Sequence, residues 1–142
     1  MGFFSKLMGT EKPKYPPLDP ASPGGVRLAK STAVLEAFVK KVQGAMEIVP
    51  GEKAIYVYIG APPETFGVVW FEGTEEHNFK TLMKAKKLSD RQMKTISGHL
   101  GEAWTRHKDE PRFEQVISGK KVVVLASPAM EQDLQKIIHE AQ

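Results

Sequence analysis

Residues 54–73, AIYVYIGAPPETFGVVWFEG, decide the fold. Both ends of the stretch are rich in β-branched and aromatic residues, which suit a pleated, packed surface. The paired prolines interrupt them, so the spacing predicts a strand, a loop over 61–65 and a second strand. In the first strand Ile55, Val57 and Ile59 alternate with Tyr56 and Tyr58. Both of its faces are therefore apolar, and both need cover. Helices of the same chain can supply that cover, or a second copy can supply part, so a homo-oligomer is expected.

Working outward towards the N-terminus, 47–49 reads as a short strand running into the turn signal Pro50–Gly51. Ahead of it, Leu28, Leu35, Phe38, Val39 and Val42 form one helical stripe that starts near Val26 and ends at Gly44. On the other side, Thr74 is positioned to cap a helix carrying Glu75 and Glu76 in its first turn, where carboxylates meet the positive helix end. Ser89 and Gln92 make a capping box for a second helix, and Pro111 closes the pair. FEQVISGKKVVVLAS, residues 113–127, reads as a hairpin turning at Ser118 and Gly119. Ser127 and Pro128 then start a last helix, with Met130, Leu134, Ile137, Ile138 and Ala141 along one side. The expected class is α+β, with an antiparallel sheet of four to five strands, helices packed on it, and the order α-β-β-α-α-β-β-α. Small dimeric scaffolding folds of the roadblock or profilin kind are similar to this in element order, and in nothing more specific.

Five of the ten prolines fall in the first 25 residues: Pro13, Pro16, Pro17, Pro20 and Pro23. Proline fixes φ and removes a backbone donor, so residues 1–25 are expected to be a disordered tail or a strap over a single domain at 26–142. Phe3, Phe4 and Leu7 beside Lys6 make a short amphipathic foot, a candidate for docking to a partner groove or weakly to a membrane surface. Lys6 stands where an N-myristoylation start needs Ser or Thr.

The composition is that of a globular protein, 26% charged and 41% hydrophobic. No stretch approaches the roughly 18 apolar residues of a membrane span, and no secretory signal is evident. The absence of cysteine excludes disulfides, thiolate nucleophiles and thiolate metal sites, and fits a cytoplasmic location. Net charge is +3, unevenly spread. Residues 79–108 hold eight Lys and Arg against two Asp and Glu, a surplus of six, which leaves −3 for the remainder. Lys84, Lys86, Lys87, Arg91 and Lys94 are the candidate partner-binding patch on the helix pair, and Pro62, Pro63 and Glu64 a stiff candidate recognition loop.

Gly98–His99–Leu100–Gly101 matches the bare GxxG of a KH-type nucleic-acid clamp. Against that reading, Met93, Ile96, Leu100, Ala103, Trp104 and His107 keep one helical face straight through the glycines. A continuous helix with a close backbone contact is the better account. His77 and His99, at equal height in an antiparallel helix pair, suggest a metal site with Glu102, but their facing points them to water. His107 reads as a hydrogen-bonded boundary histidine, and His139 points away from the apolar side of its helix. No GxSxG, phosphate-loop or HExxH motif is present. The expectation is a non-enzymatic interaction or regulatory module with no cofactor or metal, docking an unknown protein through the basic helical hairpin. Nucleic acid is the alternative partner, and a small-ligand or metal-binding protein the third reading.

Overall fold

The computed structural model describes residues 15–139. Residues 54–73 form the expected hairpin: β2 (Ile55–Ala61) pairs antiparallel with β3 (Thr65–Glu72), Val57 opposite Val69. The short strand at 47–49 is β1 (Met46–Pro50), antiparallel to β2 with Ile48 opposite Val57. After β3 the chain departs from the sequence reading. Residues 75 and 76 do not open a helix; they belong to β4 (Glu75–Asn78), in register with β3 from Glu72 opposite Glu75 to Val69 opposite Asn78. A two-residue turn makes this possible, with Gly73 at φ 64° in its first position. Helix α3 (Phe79–Lys86) starts later, capped by Asn78, whose Oδ1 accepts the Thr81 N–H at 3.0 Å while Thr81 Oγ1 accepts the Asn78 N–H at 2.8 Å. Local capping signals favoured Thr74, but pairing along β3 outweighs them.

The expected N-terminal helix is two helices, α1 (Pro23–Lys30) and α2 (Thr32–Lys41). The break falls at Ser31, and Thr32 Oγ1 donates back to the Ala29 carbonyl at 2.8 Å, the competition with helix bonding that Ser and Thr offer. Pro23 is the first residue of α1, behind a Ser22 cap, so the last three residues assigned to the tail belong to the helix. Gly25 is required there, since a Cβ would come within 2.3 Å of the Asp19 carbonyl oxygen. Ahead of that turn, Pro16–Leu18 lies against the edge of β5 (Phe113–Ile117). Leu18 N–H donates to Glu114 O and Glu114 N–H to Pro16 O, both at 2.9 Å, and Leu18 is buried. The strap thus blunts a sheet edge.

Helix α4 (Asp90–Arg106) follows α3, and β5 turns into β6 (Lys120–Val124) through Ser118 and Gly119 at φ 51° and 77°, both positive as a tight hairpin turn requires. Helix α5 (Pro128–His139) closes the described chain, with Ser127 Oγ accepting the Met130 N–H at 3.0 Å. The sheet has six strands in the order β4-β3-β2-β1-β6-β5. It is mixed where four or five antiparallel strands were expected, because β6 returns beside β1 in parallel. Among the described residues there are five helices, and they cover both faces.

Alternation along the strands sorts the core into two layers. Tyr56, Tyr58, Val68 and Trp70 pack under α3, α4 and α5 with Leu82, Ile96, Leu100 and Leu134. Ile55, Val57 and Phe71 pack under α1 and α2 with Leu28, Leu35 and Phe38. Burying a side chain of this size contributes roughly 1.5–3 kcal/mol. The doubly apolar strands therefore find their cover within one chain, which removes the physical reason for expecting a second copy on the sheet.

Candidate functional site

The basic residues lie at the corner where α3 hands over to α4. Lys84 and Lys86 are in the last turn of α3, Lys87 follows at φ 54° as its left-handed cap, and Arg91 and Lys94 are in the first turns of α4. All five are exposed. The support beneath them is fixed: Leu88 is buried, its N–H donating to Met83 O at 2.9 Å. Ser89 and Gln92 exchange capping bonds of 3.1 and 2.8 Å. Lys86 Nζ donates to the His139 carbonyl at 3.0 Å. Lys84, Lys87, Arg91 and Lys94 enter none of the ion pairs found among the described residues. The surface is not the antiparallel helical hairpin that was expected. Helix α3 rests on β3 and β4, whereas α4 packs along α5, so the patch is a corner.

Residues 98–101 are helical throughout, so no phosphate-clamping loop exists there. A Cβ on Gly101 would meet Pro63 Cβ and O at 3.3 Å and Phe66 Cε1 at 3.5 Å. The close contact is therefore the tip of the β2–β3 hairpin, where Pro63, itself exposed, lies against α4. Gly98 has no neighbour of this kind: nothing lies within 4 Å of an added Cβ. Pro62 is half-buried and Glu64 exposed. Phe3, Phe4 and Leu7 lie outside the described residues.

The histidines are dispersed. His77 is on β4 and stacks on Trp70, with centroids 5.8 Å apart. It does not share a helix pair with His99, which is exposed and 3.3 Å from Glu102. Trp104 and His107 belong to a polar cluster that sequence reasoning did not assemble. Arg112 is 7% exposed; its Nε donates to Glu47, its Nη1 donates to Lys108 O at 2.7 Å, and its guanidinium lies over the Trp104 ring at 5.6 Å. Trp104 Nε1 donates to Glu47 Oε2 at 2.6 Å. His107 bonds Glu110 through Nδ1 and Asp133 through Nε2, the latter at 2.7 Å, and Arg106 also reaches Asp133 at 3.2 Å.

Burial by itself would lower the His107 pKa, but the bonds from Asp133 and Glu110 more than offset it, and the net shift is upward. The Glu110 carboxyl is held below its usual range by Ser127 and then by His107. Burial opposes the ionised form of Asp133, yet His107 and Arg106 pull its pKa down. Both His107 ring nitrogens thus face carboxylates, an arrangement that favours the protonated ring. Burial and the nearby carboxylates push the Tyr56 and Tyr58 hydroxyls upward, and Tyr58 donates to Leu100 O at 2.7 Å. The main cavities are not lined by Glu47, His107, Glu110, Arg112 or Asp133. The cluster ties the C-terminal end of α4 to β1 and α5 and is a fastening. Its sequence signal was a lone Glu47 in an otherwise apolar strand and an arginine just ahead of β5.

No family model, curated protein or solved structure matches this chain. The corner's geometry must therefore carry the functional reading. No described helix is long and apolar enough to cross a membrane.

Proposed function

We propose that this chain is a non-catalytic interaction module that docks an acidic protein partner through the corner formed by Lys84, Lys86, Lys87, Arg91 and Lys94. One observation carries the reading: exposed cations, four of them in none of the ion pairs among the described residues, stand on a support fixed by a buried leucine and a capping box. A rigid display loses little conformational freedom on binding, and a corner where five cations outnumber the exposed Asp90, on a chain otherwise mildly acidic, steers association. Nucleic acid is the less favoured partner. Stacking on bases needs exposed aromatic rings, and Phe79 and Trp104, the Phe and Trp of these two helices, pack against the core.

The test is fluorescence anisotropy with a labelled poly-glutamate peptide and, separately, a labelled single-stranded RNA, for the wild type and for a Lys87→Glu/Arg91→Glu variant. Binding of the acidic peptide that the double reversal abolishes supports the proposal. Peptide binding that is absent, or unchanged in the variant, overturns it. RNA binding with a steep salt dependence and no peptide binding would hand the corner to nucleic acid.

A further inference from the structure

The strap leaves part of the sheet edge unpaired. Glu114 turns its N–H and C=O outward to Pro16 and Leu18, and in a strand the next residue to face the same way is Val116. Among the described residues no backbone group meets Val116 there. The strap cannot continue the ladder: Pro20 has no N–H, and Asp19 O accepts the Ser22 N–H at 3.0 Å in a turn away from β5. Beside this gap lies a cavity of about 210 Å³ between β5 and helices α1 and α2, lined by Leu18, Leu28, Leu35 and Ile117 together with Thr32 and Glu36. A cavity of about 150 Å³ with aliphatic walls holds a benzene ring, so this one is the size of a single aromatic anchor. Glu36 is the only charged side chain lining it, and Glu36 enters none of the ion pairs among the described residues. Ile117 faces the α1–α2 layer, so Val116 faces the other way, and it is 65% exposed.

The chain ahead of the described residues starts from this same edge. Tyr15 N–H donates to Glu114 Oε2 at 3.3 Å, and Glu114 is two residues, roughly 7 Å, from Val116 along β5. The seven residues 8–14 reach at most about 25 Å, several times that distance. Before them stand Phe3, Phe4, Ser5, Lys6 and Leu7. In an extended strand Phe4 and Lys6 share one face, and Phe3 and Leu7 share the other. That alternation matches the edge: a ring and a cation for the cavity and Glu36, two apolar side chains for Val116.

We infer that residues 3–7 dock on their own chain as a short strand along β5 at Val116, with the Phe4 ring in the cavity and Lys6 beside Glu36. Main-chain bonds supply the pairing and the cavity supplies the selectivity, and the edge left open by the strap is closed. The chain has no cysteine, so Gly2→Cys in the full chain accepts a single nitroxide label, whose relaxation effect is read by NMR on isotope-labelled protein. Signals of Leu28, Leu35, Val116 and Ile117 should be lost and should return when the label is reduced. Those of Lys94 and His99, on α4 at the other face of the sheet, should persist. Phe4→Ser and Lys6→Glu should each restore the lost signals, and Glu36→Lys should bring the loss back in the Lys6→Glu chain. Glu36 is exposed, and the melt of each variant checks that the fold is intact. Losses spread evenly over the surface, losses centred elsewhere, or losses unchanged by Phe4→Ser overturn the inference. So do losses that pass from a spin-labelled chain to a separate isotope-labelled one, because they put the segment on a second copy.

Discussion

Gly98 and Gly101, one turn apart in α4, should respond oppositely to alanine. Each sits inside a 17-residue helix whose buried side, Met93, Ile96, Leu100 and Ala103, is continuous past both glycines. In an exposed helix interior, alanine is better than glycine by about 1 kcal/mol. Nothing lies within 4 Å of a Cβ placed on Gly98, so Gly98→Ala should gain that amount undiminished. A Cβ on Gly101 would sit 3.3 Å from two Pro63 atoms, inside ordinary van der Waals contact, and the neighbour must yield by a few tenths of an ångström. Pro63 is held in a turn by the Glu64 N–H to Ala61 O bond of 3.1 Å, so moving it moves the hairpin tip. Overpacking of this kind costs about 1–3 kcal/mol, more than the propensity gain, and Gly101→Ala should lose roughly 1 kcal/mol net. The two variants should then differ by about 2 kcal/mol, or several degrees in Tm for a chain of this size. Urea denaturation followed by circular dichroism measures the gap, with m-values compared to confirm that only stability changed. In a Pro63→Gly background the gap should shrink, since the opposing Cβ is gone. If Gly101→Ala were as stabilising as Gly98→Ala, the hairpin tip would not be packed on α4 and the account of the paired glycines would fail.

Arg112→Ala removes one partner of a buried pair and leaves Glu47 uncompensated, which should cost about 3–5 kcal/mol in thermal or urea unfolding. Replacing Glu47 and Arg112 together by apolar residues should cost much less than the single change, and an equal loss would contradict the fastening role. The ion cluster at the end of α4 should make stability pH-dependent in a stated direction. The raised His107 pKa gives stabilisation that is full below its ordinary 6.5 and is lost as pH rises through the folded value. The lowered Glu110 and Asp133 pKa values give stabilisation that is full above their ordinary 4.5 and 3.8 and is lost as pH falls through the folded values. The cluster should therefore contribute most between about pH 4.5 and 6.5, and the excess stability near pH 5.5 over pH 8 should be smaller in His107→Gln. A His107→Gln profile superimposable on the wild type would refute the assignment. At the corner of α3, Asn78→Ala should lose about 1 kcal/mol by removing one side of the capping box, whereas Thr74→Ala should change stability little, because Thr74 caps nothing.

Much of the fold was legible because it rests on short-range patterns. The alternation of Ile55, Tyr56, Val57 and Tyr58 announced a strand buried on both faces. The caps at Ser89 and Ser127 and the turn at Ser118 and Gly119 are where local chemistry placed them. The constancy of the Met93–Ile96–Leu100–Ala103 face correctly kept α4 whole through two glycines. Elements failed where a local signal competed with a distant one. Thr74, Glu75 and Glu76 carry helix-start chemistry, but four residues in register with β3 satisfy a ladder that no local window contains. The break at Ser31 was the reverse case, a local side-chain competition hidden inside a convincing apolar stripe.

By itself, then, the sequence determined which segments are strands and helices over most of the chain, the α+β class, the position of the basic residues, and the absence of thiol chemistry, because each depends on side chains a few positions apart. Only the tertiary structure decided that β6 lies parallel to β1, that α4 pairs with α5 and turns the basic surface into a corner, and that Glu47 meets Arg112 and Glu72 meets His77 and His139. Those contacts join residues up to 76 positions apart in the chain, as Glu47 and Val123 are. Long-range pairing is selected by the joint burial of two core layers and not by any local preference, which is why it is invisible until the chain is folded.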